Sequence, residues 1–289
     1  AAVLLLPSSF NCKVGTFTPN TTQNGTATSE SLGFDAKALL FADVGTVNTS
    51  AATHSLIAYG ACVDDGSLTQ RQVMTFDRHG ASTTRTGMRV ETDSCMGQFF
   101  DDAITWTGEV TAMDSDDFTV TTRDGASGSD IVAYMALGNC EASLKTLTTP
   151  TSTGNDSVTN TGFQPEALLS SLIYAATVDA SHQDMAVCCG ASDGSQDSAH
   201  SAESEDAQGT SDTSSYSDAK IINLRNENGA EDVTATVASF DSDGFTRNYS
   251  AVNASARKGW DLALAEVAAG GSTITIFDKY YRGMRGISC

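Results

Sequence analysis

The chain has 289 residues, and 40% of them are hydrophobic, which suffices for a sizeable core and excludes a wholly disordered chain. Acidic residues outnumber basic ones by 36 to 16, and the net charge of -20 argues against general binding to nucleic acid or to anionic membrane surfaces. No apolar run approaches the about 20 residues that a membrane-spanning helix needs.

Residues 1–13 are predicted to form an N-terminal arm. The arm starts with an apolar run but has no basic segment, so we do not predict a signal peptide. It contains Cys12, and the last residue of the chain is Cys289. Each of these two thiols either bonds another residue or subunit or stays idle. The seven cysteines fit neither a dense disulfide framework nor a C-x-x-C metal site.

An internal repeat organises the sequence. G-F-D-A-K-A-L-L at 33–40 returns as G-F-Q-P-E-A-L-L at 162–169, and M-D-S-D-D-F-T at 113–119 returns as F-D-S-D-G-F-T at 240–246. The offsets are 129 and 127 residues, and the matches keep their order. A repeat of this kind marks a duplicated structural unit.

We therefore divide the chain into two units and a tail. Unit one covers residues 14–144, unit two covers 145–267, and 268–289 form a C-terminal strand and tail. A polar segment, 145–154, is predicted to link the two units.

Each unit is predicted to be an antiparallel β-sandwich, so the fold class is all-β with two tandem, duplicated modules. Apolar residues alternate with smaller ones over 57–63, 118–122 and 131–137, which is typical of strands. The Asp-rich segments at 114–117 and 241–244 supply the turn chemistry between such runs.

Two polar stretches are predicted to be exposed loops. Residues 190–217 are almost entirely Ser, Asp, Glu and Gly, and 64–87 is their more basic counterpart. Arg71, Arg78 and Arg85 recur there every seven residues, either as a solvated face or as a docking surface for the acidic face of another copy.

One string matches a catalytic motif. Gly190-Ala-Ser192-Asp-Gly194 has the G-x-S-x-G form of a nucleophile elbow, which requires a helix after the serine. The residues that follow have no apolar stripe, and unit one has Asp64 at the corresponding place. A turn at a strand end is favoured over a hydrolase site, and we predict no enzymatic activity.

The other candidate ligands favour structural roles. His54 and His182 occupy equivalent positions without a second ligand at zinc spacing, so hydrogen-bonded structural histidines are favoured. The Asp-rich turns could begin a calcium site, but turn chemistry alone accounts for them. Cys188 and Cys189 should face opposite sides of a strand and cannot easily serve one metal. We predict no cofactor.

The tail differs in composition from the two units. After Gly270-Gly271 come residues with strand alternation, followed by a basic segment. We expect this tail to dock on another copy of the acidic chain, with Cys289 able to lock the contact. The residues assigned to that docking are Thr273, Ile274, Ile276, Phe277, Lys279, Arg282 and Arg285.

The motifs G-F-Q-P-E-A-L-L at 162–169, S-F-D-S-D-G-F-T at 239–246 and D-L-A-L at 261–264 resemble β-modules of tailed-bacteriophage virion structural proteins. Unit one departs from the pattern with Asp35-Ala36 and Asp117. The resemblance implies a capsid decoration or tail-associated subunit, located on the virion, with other copies and other virion proteins as partners. The alternative is a secreted carbohydrate-binding or adhesin module, which needs exposed aromatic residues on one sheet face.

Overall fold

The computed structural model describes residues 9–29, 31–43, 54–78, 82–124, 130–209 and 213–267. These residues form strands and connecting turns, and they include no helix that could cross a membrane. The strands of the first half are β1 (Asn11–Phe17), β2 (Thr26–Thr28), β3 (Ala36–Asp43), β4 (His54–Asp64), β5 (Leu68–Arg78), β6 (Thr86–Glu91), β7 (Met96–Phe100), β8 (Ala103–Met113), β9 (Phe118–Asp124) and β10 (Val132–Gly138). Those of the second half are β11 (Cys140–Thr148), β12 (Gly154–Thr159), β13 (Ala167–Ile173), β14 (Ser181–Gln183), β15 (Met185–Ser192), β16 (Asp197–Ser204), β17 (Thr213–Asp218), β18 (Ile222–Arg225), β19 (Glu231–Asp241), β20 (Gly244–Ala251) and β21 (Lys258–Glu266).

The two units have the same strand order. Unit one consists of a large sheet, β1-β10-β3-β4-β5-β6, and a small sheet, β2-β9-β8-β7. Unit two repeats this with β11-β21-β13-β15-β16-β17 and β12-β20-β19-β18. Within the described residues, neighbouring strands of these sheets pair antiparallel. The prediction of one fold built twice is confirmed.

Each unit has its own sandwich core between its large and small sheets. In unit one, Phe17, Phe41, Phe118 and Tyr134 meet through ring contacts, with Phe118 and Tyr134 centroids 5.0 Å apart. In unit two the corresponding space is filled mainly by aliphatic side chains and Phe245. Burying a side chain of this size stabilises the fold by about 1.5–3 kcal/mol.

A third core joins the units, because their two large sheets pack face to face. Ala38, Val63 and Val73 of unit one meet Leu144 and Leu262 of unit two in one apolar cluster. The molecule is therefore a stack of four sheets, small, large, large and small, with apolar residues on both faces of the inner two.

Backbone pairing also crosses between the units. The short strand β14 of unit two adds to the edge of the large sheet of unit one, with His182 opposite Met88 of β6. Nearby, the amide of Thr84 donates to the carbonyl of Gln208 (2.8 Å), and the amide of Asp179 donates to the carbonyl of Val90 (2.7 Å). We call this hydrogen-bonded contact the seam.

The structure corrects three predictions about connections. Residues 145–148 are not a linker but the end of β11, which starts at Cys140, so the units meet at Asn139 rather than at 144/145. The N-terminal strand starts at Asn11, within the segment predicted as an arm. The predicted loops at 64–87 and 190–217 are mostly the strands β5, β16 and β17, which continue the large sheets. The tail, 268–289, lies outside the described residues.

Candidate functional site

An apolar cleft of about 550 Å³ opens between the two large sheets, at one side of the third core. Strands β1, β3, β4 and β10 form one wall, and β13, β15, β16 and β21 form the other. Val14 stands at its edge and is 71% exposed, whereas Trp260 lies at its floor and is 4% exposed. The volume is in the range of about 300–1,000 Å³ that is usual for binding sites.

The walls of the cleft present few polar groups. Trp260 Nε1 donates to the carbonyl of Tyr59 (3.3 Å), which ties the two walls together. Ser171 Oγ and Cys189 Sγ lie 3.6 Å apart, and His200 is directly opposite Cys189 in the pairing of β15 with β16. On the unit-two wall the cleft therefore combines an apolar surface with serine hydroxyls, a thiol and an imidazole.

The pKa values of the thiol and of the imidazole are both shifted in the direction that favours the neutral form. Burial raises the pKa of Cys189 to about 11, so the group is a thiol at neutral pH. Burial also lowers the pKa of His200. A nucleophilic cysteine needs the opposite shift, toward a thiolate stabilised by a cationic neighbour. The cleft is thus suited to binding an apolar group.

The sequence analysis did not predict that Cys189 and His200 lie opposite each other. The signal was available: a hairpin turn at 193–196 places residues at equal distances before and after it opposite each other. That signal was missed because 190–217 was predicted to be a loop.

A second cluster, of three carboxylates, lies at the seam. Oxygen atoms of Glu91, Asp93 and Asp179 all lie within 4.8 Å of one another, which is a donor set that a hard cation could use. In this structure, neighbouring side-chain and backbone groups already contact two of these carboxylates. Thr92 donates to Asp179 from its amide (3.0 Å) and its hydroxyl (2.8 Å), and Arg89 pairs with Glu91. Burial raises the pKa of Glu91, with the arginine opposing that shift.

The residues predicted for assembly are not brought together within the described part of the chain. Cys12 is exposed and free on β1, and burial of part of its side chain raises its pKa. Cys289 and all seven docking residues of the tail, from Thr273 to Arg285, lie outside the described residues. The five other described cysteines are also free.

The G-x-S-x-G string lies in a hairpin. Ser192 ends β15 and is 1% exposed, its hydroxyl accepts a hydrogen bond from the amide of Gly194 (3.0 Å), and strand β16 follows. The predicted turn at a strand end is confirmed, and the strand–turn–helix context of a nucleophile elbow is not present here.

The Asp-rich segments also form the predicted hairpin turns. The amide of Asp114 donates to the carbonyl of Asp117 (2.9 Å) between β8 and β9, and Asp241 pairs with Gly244 between β19 and β20. His182 Nε2 lies 3.0 Å from Thr177 Oγ1, and His54 packs against the ring of Phe100. These contacts agree with structural roles for the two histidines.

The three regularly spaced arginines do not form one solvated face. Arg78 and Arg85 both pair with Asp101, at 2.7 and 2.8 Å. Arg71 reaches across to unit two, where its Nε donates to Thr146 Oγ1 (3.0 Å). Their partners are therefore found within the chain.

No protein-family model matches this chain, and no curated protein is significantly similar to it.

Proposed function

We propose that the protein is a non-enzymatic structural subunit of a virus particle, a capsid decoration or a tail-associated protein. In this role it assembles with other copies and with other particle proteins through its β-units and its terminal segments. The observation that carries the proposal is the fusion of two like sandwiches into one block, by a shared apolar core and a backbone-paired seam. A block held together by its own core and backbone pairing suits a component that is packed into a particle.

The chemistry of the cleft and the surface is in keeping with this role. In the cleft the pKa shifts of Cys189 and His200 both favour the neutral form, and the Ser192 hydroxyl is buried in a turn. The net charge of -20 keeps free subunits soluble and apart until a specific contact forms. The resemblance of the repeat motifs to phage virion modules points the same way.

The carbohydrate-binding alternative has less support. Sugar-binding sheets use exposed aromatic rings as stacking surfaces. Among the described residues, Tyr59 is the aromatic residue that reaches an exposure of 37%, and it lies at the cleft, between the sheets, rather than on an outer sheet face.

Particles purified from the native source by density-gradient centrifugation test the proposal. We expect the protein to co-sediment with the particles in a fixed ratio to the major shell or tail proteins, as measured by quantitative mass spectrometry. If the protein remains at the top of the gradient and is retained on a glycan array, the result would favour the carbohydrate-binding or adhesin module and contradict the proposed particle role.

A further inference from the structure

The cleft corresponds, by the repeat, to a second place where the first strand of one unit could pack on the large sheet of the other. At the first such place this packing is complete. There β11, the first strand of unit two, packs across β3, β4 and β5 of unit one and places Cys140 and Leu144 in the shared core. The equivalent first strand of unit one is β1, and the equivalent surface of unit two is β13, β15 and β16. Val14 of β1 is 71% exposed, so β1 leaves this second contact open.

The sequence after unit two begins like β11. Thr146-Leu147-Thr148 of β11 returns as Thr273-Ile274-Thr275, at the same offset of 127 residues that relates the last strands of the two units. In β11 this tripeptide belongs to a strand, and its Leu147 packs in the sandwich core of unit two, so the match supports a strand in the tail and not a particular facing of its side chains. The tail thus carries the sequence of a third first strand, extended by Ile276 and Phe277.

The tail can reach the cleft of its own chain. From Trp260 in the cleft to Glu266 at the end of β21 is six residues, or about 20 Å of strand. From Glu266 to Ile274 is eight residues, which span up to about 26 Å. Gly270-Gly271 lies between them and allows the chain to reverse, because glycine adopts conformations closed to other residues.

The N-terminal arm is a poorer fit. Ser9 Oγ donates to Glu266 Oε1 (2.7 Å), so both terminal segments leave the fold at the same corner. Val14, the part of β1 that lines the cleft, lies five residues from Ser9, or about 17 Å. Leu4 is also five residues from Ser9. It would reach Val14 only if the chain turned back at Ser9 itself, with no residues taken up by the turn.

The cleft also offers a backbone partner. Among the described residues β1 pairs with β10 alone, so its outer edge has open amide and carbonyl groups. An added strand satisfies these groups and places alternate side chains on one face. In the tail that alternation separates Ile274 and Ile276 from Thr273 and Thr275.

We propose that residues 273–277 bind in the cleft of their own chain as a strand added beside β1, with Ile274 and Ile276 inserted toward Leu169 and Cys189. The basic residues Lys279, Arg282 and Arg285 then emerge beyond the cleft, where they remain available to an acidic partner. This inference concerns contacts within one chain and does not rest on the proposed particle role.

The rate at which Cys189 is alkylated tests whether the tail occupies the cleft. The full chain and a chain truncated after Ala269 are treated with N-ethylmaleimide, and modification of Cys189 is timed by peptide mass spectrometry. We expect truncation to raise the rate at Cys189 at least tenfold, and Ile274→Asp/Ile276→Asp to do the same. The matched control, Thr273→Asp/Thr275→Asp, should change the rate far less. Equal rates in the full and truncated chains would overturn the proposal.

A disulfide experiment identifies the chain that supplies the strand. In a Cys12→Ser/Cys289→Ser background, Ile274→Cys is expected to form a disulfide with Cys189 within one chain on mild oxidation. Thr273→Cys, on the opposite face, is the matched control and should form little. Disulfide-linked dimers, or equal yields from both variants, would contradict docking in the same chain. Neither result depends on particle sedimentation, so this inference and the proposed function can fail separately.

Discussion

The backbone amide of Gly162 donates a 2.7 Å hydrogen bond to Oδ1 of Asp243, and the amide of Gly33 donates the equivalent bond to Asp116. These residues belong to the two strings whose recurrence revealed the repeat. In both units the turn before the penultimate strand thus fixes the loop that leads into the central strand β3 or β13. The recurrence of the two strings therefore has a common physical cause.

Asp243→Ala should lower the free energy of unfolding by about 1 kcal/mol, because the Gly162 amide loses its acceptor. Asp243→Asn keeps an acceptor oxygen in place and should cost less. Urea denaturation followed by tryptophan fluorescence measures both. If the alanine variant is as stable as the parent chain, the bond does not hold the loop.

Arg247 and Asp261 form an ion pair inside the sandwich of unit two, where both side chains are 1% exposed. Unit one has Val120 and Tyr134 at the corresponding positions, so the same site in the duplicate carries no charged side chain. Arg247→Met or Asp261→Leu alone leaves one buried charge and should cost about 3–5 kcal/mol. The double variant should cost less than either single variant. Chemical denaturation of the three variants provides the measurement, and additive losses would refute the argument.

Asp197 and Asp218 should influence stability with opposite pH dependence. Burial raises the pKa of Asp197, whereas the hydrogen bond from Lys220 lowers that of Asp218. A raised pKa means that the charged form of Asp197 destabilises the fold. Asp197→Asn should therefore raise the free energy of unfolding most at neutral pH, and this gain should disappear as the pH falls toward about 4.

For Asp218 the sign reverses. Its stabilising contribution is present above the unfolded pKa of about 4 and is lost as the pH falls through the lower folded value, so Asp218→Asn should be less stable than the parent chain above about pH 4 and equally stable at lower pH. Thermal midpoints of both variants and the parent, measured from about pH 7 to about pH 3, decide the matter. A constant difference across this range for either variant would count against its assignment.

The two units should not be separable. Expressed alone, residues 139–267 would expose Ile173, Trp260 and Leu264, which unit one now covers. We expect this fragment to self-associate in analytical ultracentrifugation and to bind a hydrophobic dye more strongly than the whole chain at the same concentration. A monomeric fragment with the thermal midpoint of the whole chain would show that the third core contributes little.

Much of the fold was predictable because apolar alternation and turn chemistry are local signals. The strands at 57–63, 118–122 and 131–137 and the hairpins after Met113 and Asp241 were placed correctly on that basis. Strands β16 and β17 were missed because they consist mainly of Ser, Ala, Asp and Glu. Their small buried residues, such as Ala199 and Ser201, give no hydrophobic pattern.

The packing of the units against each other was not predicted, although a signal existed. Ala38-Leu39-Leu40-Phe41 is apolar at consecutive positions, which is typical of a strand covered on both faces. Leu39 points into the sandwich of unit one, while Ala38 belongs to the core between the units. The seam gave no such signal, because Ser181-His182-Gln183 is polar and pairs with β6 through backbone groups.

The third core also bears on how the chain arose. The two large sheets are equivalent by strand order, and they cover each other with the same outer face. Burying the same face of both partners is the hallmark of a two-fold homodimer. A single ancestral unit with this face uncovered would have paired with itself, and gene duplication followed by fusion at Asn139 would have turned that dimer into one polypeptide. Such a fusion would leave each half free to change independently, and the ion pair of Arg247 and Asp261 is a difference of that kind between the two units.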